Sequence, residues 1–183
     1  MKYQNTKIGN TDYLLIELDQ KTVEKRVIVD MDSGVDVYYD RRWEETDGMA
    51  DWLEANHDVY ADKTLLVLGA GVGVETLVLG RLAKKIYLND LSPVALELCV
   101  EQLEENGISS YETLLGRYEQ LELPKVDLVV DSFLVYNSET LTAIRAFLKE
   151  MKCQFLLMNG NLKEFKKLLS EFKHEVVFEV DGA

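Results

Sequence analysis

From Thr64 onward, short runs of β-branched and aliphatic residues alternate with amphipathic stretches, and this alternation constrains the fold more than any other feature of the chain. The runs "TLLVL" (64–68), "KIYLN" (85–89), "YETLL" (111–115), "VDLVVD" (126–131), "CQFLLM" (153–158) and "EVVFEV" (175–180) read as strands. Helices fit between them, near 73–84, 93–106, 138–151 and 161–173. Their ends carry ordinary signals: Ser92 before Pro93 offers an N-cap with proline at the first helical position, Gly107 follows the last turn of the same helix, and Asn161 with Glu164 makes a capping-box pattern. Strands and helices in this order specify an α/β domain, with a mostly parallel sheet covered by helices on both faces. Ligands of such sheets bind outside the carboxyl ends of the strands, at the switch point beside the first strand.

The N-terminal part follows a different pattern. "DYLLIELD", "RVIVDMD" and "VDVYY", between Asp12 and Tyr39, read as a short antiparallel β meander, expected to pack near the mouth of the site. An amphipathic helix over Asp47–His57 then leads into the first core strand. With 183 residues, 47% of them hydrophobic, the chain can bury one sizeable core. The expected organisation is a single domain, with residues 1–42 as a β extension and 43–183 as the ligand-binding core.

The first core strand runs into "LVLGAGVGVE", where Gly69, Gly71 and Gly73 are spaced two apart. Side chains there would keep a ligand from the backbone, and the helix that follows directs its positive end toward that ligand. The dinucleotide fingerprint needs G-x-G-x-x-G, and in "GAGVGV" the third glycine comes one place early. A tight turn that only lets a strand pack on a helix is the structural alternative. Asp90 ends the second core strand roughly 20 positions after the first glycine, where a carboxylate can accept hydrogen bonds from both hydroxyls of a ribose; it could also simply precede the cap residue Ser92. Together the two features indicate an adenosine-containing cofactor, either NAD or S-adenosylmethionine.

At this point the sequence resembles the class I S-adenosylmethionine-dependent methyltransferases. "LVLGAGVGVETL" followed by "IYLNDLSPVALEL" is similar to their first motif and acidic loop. Within that superfamily the chain resembles the seven-strand protein lysine methyltransferases, particularly the branch acting on the electron-transfer flavoprotein β-subunit. The likeness rests on Trp43, on Asn89, Asp90 and Pro93, and on "DLVVDSFLVY" ending in Tyr136, and it spans about Trp43 to Lys149. The resemblance implies a Rossmann-like class I methyltransferase fold with S-adenosyl-L-methionine as cofactor. Gly69, Gly71, Gly73 and Asp90 would hold it, with Leu91, Arg117 and Tyr118 around the adenosine and Trp43 and Ser132 completing the site. Three positions depart from the family: the acid two places before the first glycine, which helps hold the methionine amine, is Val67; the residue facing the adenine amino group is Arg117; and the acid of the Asp-x-x-Tyr pair is Phe133. Tyr136 and, two residues before Phe133, Asp131 are then the candidates to orient an acceptor.

Methyl transfer from a sulfonium is an in-line displacement, so the protein must align a nucleophile and supply it unprotonated. For a lysine, deprotonation at neutral pH costs about 4 to 5 kcal/mol, which a nearby positive charge and desolvation reduce. An aromatic or acidic group can orient the amine, although Tyr136 could also be a core aromatic near a strand end. The net charge of -13 argues against nucleic acid as partner. Residues 43–62 hold Glu44, Glu45, Asp47, Asp51, Glu54, Asp58 and Asp62 with no Lys or Arg, either a solvated helix face or a rim that attracts a basic partner. Cys99 and Cys153 lie in apolar runs without metal-ligand spacing, and His57 and His174 lack triad partners and read as surface residues. Trp52 reads as a packing residue of its helix, and the apolar positions of "KEFKKLLSEFK" fit a sheet-covering helix better than a membrane-binding one. A polar start and the lack of a long apolar run make a soluble, cytoplasmic protein the expectation. Three readings stand: methyl transfer to lysine of a basic protein, N- or O-methyl transfer to a small molecule, and a cofactor-binding or interaction protein without catalysis.

Overall fold

A computed structural model describes residues 1–32, 34 and 36–178. The chain opens with an antiparallel hairpin, β1 (Tyr3–Ile8) and β2 (Thr11–Ile16), followed by α1 (Lys21–Asp32) and α2 (Glu44–Ala55). The alternating part then gives β3 (Thr64–Leu68), α3 (Val74–Leu82), β4 (Lys85–Asp90), α4 (Pro93–Glu105), β5 (Tyr111–Leu115), β6 (Leu128–Ser132), α5 (Ser138–Glu150), β7 (Gln154–Met158) and α6 (Lys163–Glu171). The five core strands form a parallel sheet in the order β5-β4-β3-β6-β7. β3 and β6 are neighbours, with Leu68 opposite Asp131, so the order reverses at β3 and a crevice opens at its carboxyl end.

Strand parity sorts the core into two layers. Leu65, Val67, Ile86, Leu88 and Val130 pack with α2, α3 and α4, whereas Leu66, Leu68, Tyr87 and Val129 pack with α5 and α6. Ser92 caps α4 by accepting the Ala95 amide at 2.8 Å. The expected cap at Asn161 is not made: α6 begins after Leu162 without a side-chain cap. A capping box occurs instead at α5, between Asn137 and Thr140, where a threonine replaces the glutamate or glutamine by which the pattern is usually recognised.

The N-terminal reading needs correction. The meander is a hairpin and a helix, because Val23, Val27 and Asp30 recur at helical spacing and face inward, while the alternation in "RVIVDMD" leaves Ile28 and Met31 exposed. β1 is too polar to announce itself. Residues 36–39 are not in a strand, and Val35 lies outside the described residues. The strand expected at 175–180 is also not formed over 175–178, where Phe178 instead stacks on Trp52 at 5.2 Å; residues 179 and 180 lie outside the described residues.

The hairpin sits on the helical layer, and segment 36–43 takes the place near the cavity mouth that was expected of the meander. The outer edge of β2 is satisfied by side-chain amides of α4: Asn106 accepts from the Leu14 amide at 2.9 Å and donates to its carbonyl at 2.8 Å. Gln102 accepts from the buried Ile16 amide at 2.7 Å and donates to the Val72 carbonyl at 2.6 Å, tying the hairpin to the glycine turn. Arg81 and the Thr11 and Tyr13 hydroxyls converge on Glu54, closing the other end of the hairpin against α2 and α3. Among the described residues no helix is long and apolar enough to cross a membrane. Replacing Gln102 by leucine strands one buried donor and one buried acceptor, and urea unfolding is expected to show a loss of about 3 kcal/mol; a loss below 0.5 kcal/mol would mean that water replaces the amide.

Candidate functional site

A cavity of about 690 Å³, a volume typical of small-ligand sites, lies at the carboxyl ends of β3, β4 and β6. Its floor is the turn between β3 and α3, where Gly69, Gly71 and Gly73 all adopt positive φ, at 60°, 52° and 78°. A Cβ on Gly73 would lie 2.2 Å from Thr76 Oγ1 and 2.5 Å from Cys99 Sγ, so close packing demands glycine there whatever the ligand. A Cβ on Gly71, by contrast, would meet nothing closer than 3.8 Å, leaving that backbone open to the cavity.

Asp90 holds this turn in shape. One carboxylate oxygen accepts from the Gly71 amide and the other from the Ser92 amide, both at 2.9 Å. Burial raises its pKa, and the amides of Ser92, Gly71 and Leu91 offset part of that rise. Neighbouring Asn89 donates to the carbonyls of Leu114 and Gly116 at 2.8 Å each, fixing the turn after β5. That turn delivers Tyr118, buried against Phe147, and Arg117, whose guanidinium pairs with Glu119 at 2.7 Å and Glu139 at 2.9 Å. Leu91 is exposed on the rim. These residues, with Asp90, give one half of the cavity a carboxylate between an apolar shelf and a charged edge.

The other half lies where β6 ends. Phe133 turns out of the strand with φ of 79°, its amide donating to the Met158 carbonyl at 2.7 Å, and its ring stacks on Trp43 at 5.2 Å. The Trp43 indole donates to the Tyr38 carbonyl at 2.7 Å and carries the Arg41 guanidinium over its ring at 4.6 Å. Tyr136 is 38% exposed at the mouth, with its ring 5.4 Å from that of Tyr38. Burial, and then the neighbouring Tyr38, Asp36 and Glu139, raise the Tyr136 pKa, so it stays a neutral phenol. Because Phe133 leaves the strand path, Asp131 does not share its face. Asp131 is 1% exposed and outside the cavity lining, and the Leu134 amide is the polar group that favours its charge. Burial, and then the nearby Glu75, hold its pKa well above the carboxylate range.

Sequence reasoning passed over Glu75, which the fold brings into the cavity wall from the first turn of α3. It is 2% exposed; Ser132 Oγ donates to Oε1 at 3.0 Å, and Oε2 has no partner. Burial pushes its pKa up to about 7. Its signal in the sequence was a charge inside the apolar run "GVETLVL". Thr46, whose hydroxyl lies 3.3 Å from Ser132 Oγ, was also missed.

The acidic run does not gather at the mouth. α2 carries its residues about 18 Å from end to end. Thr46 at one end lines the cavity, while Glu54 at the other is tied to Arg81 beneath the hairpin. Asp47 pairs with Arg42 at 2.6 Å, and Asp51 accepts from the Gly9 amide. Acids on the cavity lining are Asp36, Glu75, Asp90, Glu119 and Glu139.

Residues 66–154 match the model of a methyltransferase domain family. Over 95 residues the chain is 30% identical to a ribosomal protein arginine N-methyltransferase of Schizosaccharomyces pombe, covering 50% of this chain and 17% of that protein. It is 25% identical over 154 residues to the human electron transfer flavoprotein beta subunit lysine methyltransferase, covering 80% of this chain and 58% of that protein. Thus the chain spans well under two thirds of the length of these relatives. In fold it is similar to a 16S rRNA methyltransferase of T. thermophilus solved with AdoMet and guanosine, with a TM-score of 0.66 and 16% identity over 93% of this chain and 45% of that one. Over residues 66–154, just under half of its length, the chain is thus similar to methyltransferase domains, and it shares its fold with solved methyltransferases.

Proposed function

We propose that the protein binds S-adenosyl-L-methionine in the cavity described and transfers its methyl group to an amine, in the first place the side chain of a lysine on a basic protein. When bound, the cofactor supplies an activated methyl on a sulfonium. The chain's own residues bind, orient and exclude water. Asp90, on the cavity lining, would accept hydrogen bonds from the ribose hydroxyls, with Leu91 and Tyr118 as apolar surface for the adenine. The exposed backbone at Gly71 lets the ligand approach the turn.

The observation that carries the acceptor reading is the mouth. Tyr38 and Tyr136, partly exposed and in ring contact at 5.4 Å, lie beside Asp36, an aromatic and acidic setting suited to attracting an ammonium and orienting the free amine once its proton has left. Arg117 is paired with Glu119 and Glu139, so it leaves that side of the rim without free positive charge. A net charge of -13 favours a basic partner in the same sense. The likeness to a lysine methyltransferase supports this reading, although other relatives are named for arginine or ribosomal RNA. A non-catalytic reading draws on one feature, the Phe133 ring stacked on Trp43 in the place of an acid.

With S-adenosylhomocysteine at 100 times its dissociation constant, the fold should gain about 2.7 kcal/mol. Asp90→Ala should lose most of that gain; equal affinity in calorimetry would remove the ribose role. Tyr136→Phe is expected to lower transfer to basic proteins while leaving cofactor affinity nearly unchanged. kcat/KM should fall as salt rises, since screening shortens the reach of the chain's net negative charge. Methyl label entering a metabolite rather than protein would favour the small-molecule acceptor, and label in neither fraction would favour the non-catalytic reading.

A further inference from the structure

Glu75 and Asp131 form a buried carboxyl pair that the chemistry of methyl transfer does not require. Glu75 Oε2 has no hydrogen-bond partner, and only the Leu134 amide favours the charge of Asp131. Leaving buried polar atoms unpaired is costly, and such atoms in a cavity wall call for a ligand that completes them. Glu75 lines the cavity; Asp131 lies behind it. The ionisable groups acting on Glu75 are Asp131 from β6, Asp47 from α2 and the Cys99 thiol from α4, and none of these is a cation. A positively charged donor would complete both the hydrogen bonding and the charge of Glu75. One free carboxylate oxygen flanked by the Ser132 and Thr46 hydroxyls suits the three N–H donors of an ammonium, and offers too few oxygens for a hard metal ion.

An ammonium could come from the amino-acid end of the cofactor or from an acceptor amine. Position within the cavity favours the cofactor. Asp90 bonds to Gly71 on one side of the glycine turn, and Glu75 stands on the first turn of α3 just past Gly73, while Tyr136 and Tyr38 lie at the exposed mouth. Val67, beneath the turn, offers no charge. We propose that Glu75, backed by Asp131, receives the α-ammonium of the cofactor's amino-acid end, and that the pair releases a proton to solvent as the ammonium enters. The inference rests on the cofactor reading given under Proposed function. The balance is simple: a carboxylic acid of the pair becomes a carboxylate, its proton goes to buffer, and the ammonium takes its place as the compensating charge.

With its pKa near 7, Glu75 is protonated in the empty protein below that pH and must ionise to bind. Affinity should then fall as pH drops below about 7, and the α-amino group begins to lose its own charge near pH 8. Calorimetry in two buffers of different ionisation enthalpy reads the proton directly. At pH 6, S-adenosylhomocysteine binding to the wild-type protein should release close to one proton, and 5′-methylthioadenosine, which lacks the amino-acid end, should release none. Glu75→Gln should weaken S-adenosylhomocysteine on the order of 10- to 100-fold at pH 7.5 and abolish its proton release. The same variant should bind 5′-methylthioadenosine as wild type does, which also reports that it folds.

Equal S-adenosylhomocysteine affinity in Glu75→Gln would overturn the proposal. So would an equal loss for 5′-methylthioadenosine, which would make Glu75 a structural support of the cavity. A loss confined to n-butylamine would assign the pair to the acceptor instead. If wild-type protein binds neither nucleoside, the cofactor reading fails and this one with it, an outcome distinct from all the others.

Discussion

The carboxylate of Asp90 is the interaction on which the rest of the site depends. It fastens the glycine turn after β3 to the start of α4 through two backbone amides, and the Asn89 side chain does the same for the turn after β5. Three loops that lie far apart in sequence thus become one surface. The glycine turn could not hold its shape alone, because Gly69, Gly71 and Gly73, without a Cβ, have little conformational preference of their own. A ligand hydroxyl that approached Asp90 would meet a carboxylate already oriented by the fold, which limits the ordering that binding must still impose.

The sheet was legible in the sequence for a definite reason. Its central strands β3 and β6 are buried on both faces, so "TLLVL" and "DLVVD" stand out as continuous apolar runs, and the strands β3 and β5 fall where the pattern placed them. The N-terminal part was illegible for the opposite reason. β1 is a polar edge strand, and α1 buries only a narrow stripe, so a window of seven residues in it reads as well for a strand as for a helix.

Within the site, the glycines and Asp90 could be read because their roles are set by backbone geometry at fixed spacing. Glu75 could not, because its role depends on the end of β6 coming to rest beside α3, a contact spanning 57 positions. Parity also failed at Phe133. Counting alternate residues along β6 assumes that the strand continues, and a positive φ ends it one residue too soon. The acidic run misled in a similar way: composition registers its charges, but not that a helix spreads them along its length and that Arg42 and Arg81 answer two of them.

The segment between α1 and α2 is fastened at both ends. At one end Asp30 accepts hydrogen bonds from Tyr39 and from Ser92, and at the other Trp43 lies against Phe133. The Ser92 hydroxyl gives its single proton to Asp30 while accepting the Ala95 amide as the cap of α4. One oxygen therefore serves two elements, and its bonding capacity is shared between them. Tyr39 from the cavity's outer wall and Ser92 from the cap of α4 thus meet on one buried carboxylate oxygen of Asp30, so a change that displaces that carboxylate reaches both at once.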